Sequence, residues 1–294
     1  MEKGSQNSHS FHLAGIVPVA GQKLDFNFPW HDCLQPIGRN YLAVERAVLE
    51  CAYAGCETIW IVCHDDMQPL IKYRLGEYIL DPIFLQRKRF SSEGEQHEIP
   101  IHYVPIHPKD RDKRDCLGWS VLYGALTAYW LSKTISKWLI PDRFYAAFPY
   151  GIYDPKLIQP YRKQISSKAP FYVEYSKQNI KDNQYLGFTF DGGDFKKCRK
   201  YLREEGTGEF FGYDTDRIPI EERWSARFFE LDKVFKYVNM ENANTLEVPW
   251  YYKIDNWDGL CDFFGSKECK TLDKPYEIGY HRFSEIGTDN YEEN

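Results

Sequence analysis

The sequence predicts a doubly wound α/β fold, in which a mostly parallel, mixed sheet carries helices on both faces. Residues Thr58–Cys63 form an apolar run without polar alternation, which is typical of a parallel strand buried on both faces. A second apolar run occupies residues 13–22 and breaks at Ala20-Gly21. A helical pattern lies between the two runs. This order indicates a βαβ unit, and its long first loop begins where open α/β sheets bind ligands.

The helix of this unit is predicted from the spacing of its apolar side chains. One stripe at helical spacing contains Tyr41, Val44, Val48, Cys51 and Ala52. Glu45, Arg46 and Glu50 fall outside the stripe, so we expect them to face away from the core. Asn40 is the predicted N-cap residue, and Gly55 is predicted to end the helix in a left-handed conformation.

The rest of the chain continues the alternation of strands and helices. The pattern predicts strands at 99–106, 144–148 and 171–175, and helices at 65–81, 119–138, 219–238 and from Trp257 onward. The charged stretch 107–116 is predicted to be a solvated loop. We therefore expect a polar N-terminal segment at 1–12, one domain at 13–265 and an extended polar tail at 266–294.

Composition argues against several classes of protein. The net charge of −6 over 294 residues disfavours a general nucleic-acid surface. No apolar run approaches the length of a membrane-spanning helix, and the first twelve residues are polar. The eight cysteines have irregular spacings without a Cys-x-x-Cys pair. We expect a cytoplasmic protein with reduced cysteines, no membrane segment and no nucleic-acid partner. The sequence leaves its oligomeric state open.

Two segments near the start carry a family resemblance. Residues 19–22 (VAGQ) stand where the motif LAGGxGTRLxP has its first glycine turn. Residues 34–38 (LQPIG) stand where the motif PKPLLPVGGKPL has LLPVG, and the predicted helix and strand follow at the matching distance. In these features the chain resembles the sugar nucleotidyltransferases, also called nucleotide-sugar pyrophosphorylases.

Four later segments extend the resemblance in the order that the family has. Residues 117–120 (LGWS) resemble the nucleotide-base loop LGTAxAL, and 176–177 (SK) follow a strand as the family's Glu-Lys-Pro does. Residues 185–190 (YLGFTF) resemble the strand of the sugar site. Residues 252–258 (YKIDNWD) resemble the element DIGTPEDY, whose aspartate binds the catalytic metal. Together these segments cover roughly 13–265.

The resemblance implies transfer of a nucleotidyl group from a nucleoside triphosphate to a sugar phosphate, with release of pyrophosphate. The implied cofactor is Mg²⁺, held by Asp255 and by Asp154, which is displaced from the family's position. Lys177 would meet the sugar phosphate, so Asp255 and Lys177 are the candidate catalytic residues. The candidate nucleotide- and sugar-binding positions are Ala20, Gly21, Gln22, Lys23, Gly118 and Gly187.

Two departures from the family's motifs keep other functions open. Asp32 stands where the family has a phosphate-binding lysine, and no acid occupies 148–151, where the family has its other metal ligand. The second hypothesis is therefore a catalytically inactive relative that binds a nucleotide, a sugar nucleotide or a protein partner. The third is a glycosyltransferase of similar topology, whose usual Asp-x-Asp motif occurs here only in a late loop, at 214–216.

Three candidate residues also fit ordinary structural roles. Lys177 fits a solvated surface lysine, and Gly118 fits the residue that precedes a helix. Asp255 fits an N-cap for the helix that starts at Trp257, which would explain its presence without a metal.

Overall fold

A computed structural model describes residues 11–21, 26, 28, 30–83, 97–206 and 225–274. The strands in the described residues are β1 (Leu13–Pro18), β2 (Pro36–Gly38), β3 (Tyr41–Leu42), β4 (Thr58–Cys63), β5 (Tyr78–Leu80), β6 (Glu98–Pro105), β7 (Arg143–Ala146), β8 (Gly151–Ile152), β9 (Phe171–Glu174), β10 (Phe188–Phe190), β11 (Asn244–Glu247) and β12 (Tyr252–Lys253).

Eight of these strands form one mixed sheet in the order β11-β9-β10-β7-β1-β4-β6-β5. Its centre is parallel, because β1 pairs in parallel with both β7 and β4, and β4 pairs in parallel with β6. The chain runs from β1 outward to β6 and then returns to β7 on the other side of β1. The strand order therefore reverses between β1 and β7. In open α/β sheets, ligands bind at such a switch point, beyond the carboxyl ends of the strands.

The helices are α1 (Ala43–Ala54), α2 (Gln68–Leu75), α3 (Pro108–Arg114), α4 (Leu117–Ile135), α5 (Arg162–Ile165), α6 (Gly192–Glu205), α7 (Leu231–Val234), α8 (Trp257–Gly265) and α9 (Lys267–Thr271). Gly15 of β1 packs against Cys51 of α1, whereas the neighbouring Ile16 packs against Gly124 of α4. Successive side chains of a strand point to opposite faces, so α1 and α4 cover opposite faces of the sheet. This arrangement confirms the predicted doubly wound fold class.

Helix α1 differs from the prediction at its start and on its polar side. Asn40 is not the N-cap; its φ of 53° places it in the left-handed region, in the turn before β3. The helix begins after Leu42, whose backbone N–H donates to the Glu45 carboxylate at 2.8 Å. Gly55 ends the helix in the left-handed region, as predicted. The expectation that the charged residues of α1 face away from the core was wrong, because the helix is buried on every side.

Two predicted segments before α4 have other structures. The helix expected at 65–81 stops at Leu75, and Tyr78–Leu80 instead pairs antiparallel with β6. The loop expected at 107–116 is mostly helical. Its helix, α3, has a proline in the first turn, and Asp110 and Arg114 pair across one turn at 3.6 Å. Opposite charges spaced four residues apart stabilise a helix. The prediction of a solvated loop did not take this pairing into account.

Two predictions for the C-terminal part also need correction. In the described part of the helix expected at 219–238, a 3₁₀ turn at Ser225–Phe228 precedes the short α7. Helix α7 starts at Leu231, whose backbone N–H donates to the side-chain oxygen of Asn183 at 3.2 Å. The tail expected from 266 begins later, because α9 forms and Leu272 is buried behind it. Residues 207–224 and 275–294 lie outside the described part of the chain.

A polar cluster lies in the core between α1 and the sheet. Arg46 and Glu50 are fully buried and form an ion pair at 2.8 Å. The Glu50 carboxylate also accepts hydrogen bonds from the hydroxyls of Tyr145 at 2.7 Å and Tyr153 at 2.5 Å. Burial first, and the Glu50 charge second, raise the pKa of both tyrosines well above the ordinary value, so both remain donors. Arg46 in turn donates to the carbonyl of Phe148 at 2.5 Å and so ties α1 to the segment after β7.

All eight cysteines are unpaired, and six of them are buried. Among the helices of the described residues, none has the length and apolar character required to cross a membrane.

Candidate ligand-binding cleft

A cleft of about 310 Å³ opens beyond the carboxyl end of β1. Its volume lies at the lower end of the range for small-molecule sites. The residues that line it come from the turn after β1, the start of α4, the segment before β10, the 3₁₀ turn before α7, and β12. They are Gly21, Cys116, Leu117, Asn183, Tyr185, Arg227, Phe228, Phe229, Glu230, Leu231, Lys253 and Asp255.

The turn after β1 is fixed directly on the start of α4. The Ser120 hydroxyl donates to the carbonyl of Ala20 at 2.6 Å, and Ala20 itself is buried. Gly21 has a φ of 83°, and a Cβ built on it would lie 2.5 Å from the backbone of Cys116. Only glycine fits this turn without strain, because the left-handed region and the close approach both exclude a side chain. The turn therefore forms a rigid wall of the cleft.

Asp255 lies in the cleft, where the short pairing of β12 with β8 holds it. The backbone N–H of Ile254 donates to the carbonyl of Tyr150 at 2.9 Å, which extends this pairing by one residue. The Asp255 carboxylate pairs with the Lys253 ammonium at 3.0 Å. Asp255 is not the cap of α8, because the side chain of Asn256 accepts the backbone N–H of Gly259 at 2.8 Å.

Lys253 is a cleft residue that the sequence analysis missed. Its ammonium lies 4.9 Å from the centre of the Tyr185 ring, which is a cation–π contact, and its side chain is largely buried. Arg227 adds a second basic side chain to the lining. A signal for Lys253 was present in the sequence, because alternate residues of an extended segment share a face and Lys253 is two residues before Asp255.

An aromatic residue, Tyr150, stands in the segment where the resemblance places a second metal-binding acid. Tyr150 is fully buried, its ring packs edge-on against Tyr185 at 6.2 Å, and its hydroxyl donates to the carbonyl of Val19 at 3.4 Å. Burial raises the pKa of Tyr150 well above its ordinary value, so the phenol stays neutral. At this position the chain therefore offers a neutral phenol in place of a carboxylate.

Two other predicted site residues lie outside the lining of this cleft. Asp154 caps the 3₁₀ segment Pro155–Tyr161, where its carboxylate accepts the backbone N–H of Lys156 at 3.0 Å. Lys177 is exposed in a tight turn after β9. Ser176 and Lys177 both have positive φ there, and Tyr175 and Gln178 exchange two backbone hydrogen bonds around them.

The remaining predicted positions serve packing or lie outside the described residues. Gly118 packs against the side chain of Val234, and Gly187 packs against Tyr145 and Glu50 in the core. Neither glycine is among the residues that line the cleft. Gln22 and Lys23 lie outside the described part of the chain.

The described residues do not fit a magnesium site as they stand. Among them, no group of three or more histidine, cysteine, aspartate or glutamate side chains could hold a metal ion. The carboxylate of Asp255 is already paired with the ammonium of Lys253 at 3.0 Å. Hard cations need several oxygen ligands, preferably charged ones. The lining carries two basic side chains, Arg227 and Lys253, and two acidic ones, Glu230 and Asp255, so its formal charges balance.

His31 and Asp32 precede β2, and burial shifts the pKa of both. Burial raises the pKa of Asp32. Burial also lowers the pKa of His31 to about 4; the Asp66 charge opposes this shift and His64 adds to it. A neutral His31 matches its geometry, since its Nδ1 accepts the backbone N–H of Cys33.

The shifted pKa of His31 predicts a loss of stability as the pH falls from about 6.5 to about 4. In this window the histidine is protonated in the unfolded chain and neutral in the folded protein, so proton binding favours unfolding. We expect the melting temperature of the wild type to fall more between pH 7 and pH 5 than that of His31→Asn, in which asparagine retains the N-cap. Equal falls in the two proteins would contradict the buried, neutral histidine.

With this geometry established, comparison with solved structures defines the class of fold. The chain is similar to a protein from Bacillus anthracis described as a glucose-1-phosphate thymidylyltransferase in complex with a sucrose. The TM-score is 0.54 at 12% identity, over 90% of this chain and 98% of that one. The described part of the chain thus has the fold of the sugar nucleotidyltransferases, as the resemblance implies.

Further matches are of the same kind. A UDP-glucose pyrophosphorylase complexed with UDP-glucose matches at 14% identity with a TM-score of 0.48, over 88% of this chain and 99% of that one. A UDP-glucose pyrophosphorylase without ligand matches at 15% identity with a TM-score of 0.49, over 89% of this chain and all of that one. No protein-family model and no curated protein sequence matches this chain.

Proposed function

We propose that this protein binds a phosphorylated sugar or a sugar nucleotide in the cleft beyond β1. The observation that carries the proposal is the position of Lys253, whose ammonium lies in the cleft between the Asp255 carboxylate and the face of Tyr185. The location of the cleft in a sugar-nucleotidyltransferase fold supports it, since this fold binds ligands beyond its parallel strands.

The cleft side chains match the parts of such a ligand. Lys253 and Arg227 supply positive charge for a phosphate. The Tyr185 ring offers an apolar face for a sugar ring, and Asp255 is an acceptor for sugar hydroxyls. In the absence of ligand, the ion pair between Lys253 and Asp255 balances the charges. The unpaired state of all eight cysteines supports the cytoplasmic location that this proposal entails.

Nucleotidyl transfer is the second candidate, favoured by the fold and by the presence of Asp255 in the cleft. In this reaction a phosphate oxygen of a sugar phosphate attacks the α-phosphorus of a nucleoside triphosphate. A new phosphorus–oxygen bond forms, and the bond to pyrophosphate breaks. The ion pair of Asp255 with Lys253 and the neutral Tyr150 argue against this candidate, because both leave the described residues poor ligands for Mg²⁺.

Calorimetric titration with glucose 1-phosphate, UDP-glucose and UTP tests the binding proposal. We expect Lys253→Gln to weaken sugar-phosphate binding at least about tenfold, because a hydrogen bond to a charged group contributes about 1.5–3 kcal/mol. Lys177→Gln is the matched control, and we expect it to change affinity less than twofold. A loss of sugar-phosphate affinity in Lys177→Gln, with no loss in Lys253→Gln, would contradict the assignment of the cleft. It would favour the contact of Lys177 with the sugar phosphate that the resemblance implies.

Asp255→Asn separates binding from transfer. If the protein only binds, removing this carboxylate frees Lys253, so ligand affinity should rise and no pyrophosphate should be released from UTP and glucose 1-phosphate. If the protein transfers, pyrophosphate release by the wild type should be Mg²⁺-dependent and should be abolished in Asp255→Asn. Failure of every titrated ligand to bind the wild type would refute both functions.

A further inference from the structure

A second concave site lies between α3 and α6, outside the cleft. It is a groove of about 600 Å³, and its lining is basic. The lining residues are Lys113, Arg114, Phe195, Lys196, Arg199, Lys200, Arg203 and Glu204. Six basic side chains thus face one acidic side chain, in a protein whose net charge is −6. This local excess of positive charge has the opposite sign to the charge of the whole chain.

The basic side chains of the groove form an ordered row. Lys196, Arg199, Lys200 and Arg203 follow the spacing i, i+3, i+4 and i+7 of α6, so they lie on one face of that helix. Arg114 projects from the end of α3 on the opposite wall, where its guanidinium stacks on Trp119 at 4.9 Å. An extended anion could meet guanidinium groups from both helices.

The side chains that line the groove carry more positive than negative charge. Burial lowers the pKa of Arg114; the Asp110 carboxylate opposes this shift, and the charges of Arg203 and Arg199 add to it. Two acidic side chains pair with groove residues, Asp110 with Arg114 at 3.6 Å and Glu204 with Lys200 at 3.8 Å. Arginine side chains that repel one another in a folded protein are stabilised when an anion binds between them.

Arg199 supplies a second, independent observation. Its Nε atom is buried and has no hydrogen-bond partner, while its guanidinium lies 5.9 Å from the centre of the Phe195 ring. A buried donor without an acceptor destabilises the folded protein. Arg199 also lines the groove, and the planar fork of a guanidinium group suits a phosphate acceptor.

From these observations we infer that the groove between α3 and α6 binds an oligophosphate, a chain of two or three linked phosphates. A single phosphate is met by two or three basic side chains, whereas six such side chains around 600 Å³ match several phosphates. The ligand is either an inorganic oligophosphate or the phosphate chain of a nucleotide. This site is separate from the proposed cleft, and the inference does not depend on the function of the cleft.

Calorimetric titration of the full chain with inorganic triphosphate tests the inference. We expect binding that weakens as salt rises. The double variant Arg199→Gln/Arg203→Gln should bind at least about tenfold more weakly, since it loses two charge-assisted contacts. The control is Lys267→Gln/Lys270→Gln, which makes the same change of net charge on the exposed face of α9 and should change affinity less than twofold. Arg199→Lys keeps the positive charge but lacks the planar guanidinium group. Its affinity for triphosphate should therefore lie between those of the wild type and the double variant.

Two further titrations identify the ligand and the site. ATP that binds no more tightly than inorganic triphosphate indicates that the phosphates alone are recognised. A fall in triphosphate affinity in Lys253→Gln as large as that in Arg199→Gln/Arg203→Gln would place the anion in the cleft and overturn the inference. The inference is overturned if the wild type does not bind triphosphate, if both double variants lose affinity equally, or if a single-stranded oligonucleotide binds the groove more tightly than triphosphate. Melting curves of each variant confirm that it is folded.

Discussion

Replacing Glu50 by glutamine is expected to lower the free energy of unfolding by about 3–5 kcal/mol. Glutamine keeps the size of the side chain but removes the charge that balances Arg46, and both residues are fully buried. The hydroxyls of Tyr145 and Tyr153 would also lose a charged acceptor. Equilibrium unfolding in urea, followed by tryptophan fluorescence, measures the loss.

Two controls isolate the effect of the buried charge. Glu204 pairs with Lys200 at the same helical spacing on the surface, at 3.8 Å, and Glu204→Gln should change stability by less than about 0.5 kcal/mol. Adding Arg46→Met to Glu50→Gln should recover part of the loss, because no unpaired charge remains in the core. A loss below about 1 kcal/mol in Glu50→Gln would mean that the cluster is not desolvated.

Gly21→Ala is expected to cost about 2–5 kcal/mol, through two separate mechanisms. The left-handed conformation of Gly21 disfavours any side chain by about 1–2 kcal/mol. The new Cβ would also lie 2.5–2.8 Å from backbone atoms of Cys116, which cannot move aside without shifting the start of α4. Such overpacking costs about 1–3 kcal/mol. Urea unfolding gives the change, and titration with UDP-glucose shows whether the wall of the cleft has moved.

Gly192→Ala is the matched control for this substitution. Gly192 begins α6, its φ is not positive, and a Cβ there would meet nothing within 4 Å. Alanine at such a position is neutral or stabilises by up to about 1 kcal/mol, mainly by restricting the unfolded chain. If Gly21→Ala changed the free energy of unfolding as little as Gly192→Ala does, the close contact between the turn after β1 and the start of α4 would be contradicted.

The parts of the fold that could be predicted from the sequence are those with a strong local pattern. Residues 59–63 of β4 are buried because this part of the strand has no polar residue to place in water. Gly55 ends α1 because glycine adopts the left-handed region at little cost. The order of the motifs led to the fold class, which the described strands and the structural comparison support.

The errors have long-range causes. Glu50 looked like a surface residue because its partners, Tyr145 and Tyr153, are about a hundred positions away, with separations of 95 and 103. The sequence offered Lys177 as the basic residue for a sugar phosphate and did not reveal Lys253, which the pairing of β12 with β8 brings into the cleft. No local pattern reveals which side chain a distant strand will place in a shared site. The roles predicted from the resemblance for Lys177 and Asp154 remain predictions.

The burial of α1 has a consequence for how the chain folds during synthesis. Its Arg46 and Glu50 cannot leave water favourably until Tyr145, Phe148 and Tyr153 reach them, because a buried charge without partners is strongly unfavourable. In a nascent chain on the ribosome, we therefore expect the first βαβ unit to remain incompletely packed until residues beyond 153 have emerged. The N-terminal half then completes its core together with β7 and β8, as one cooperative unit.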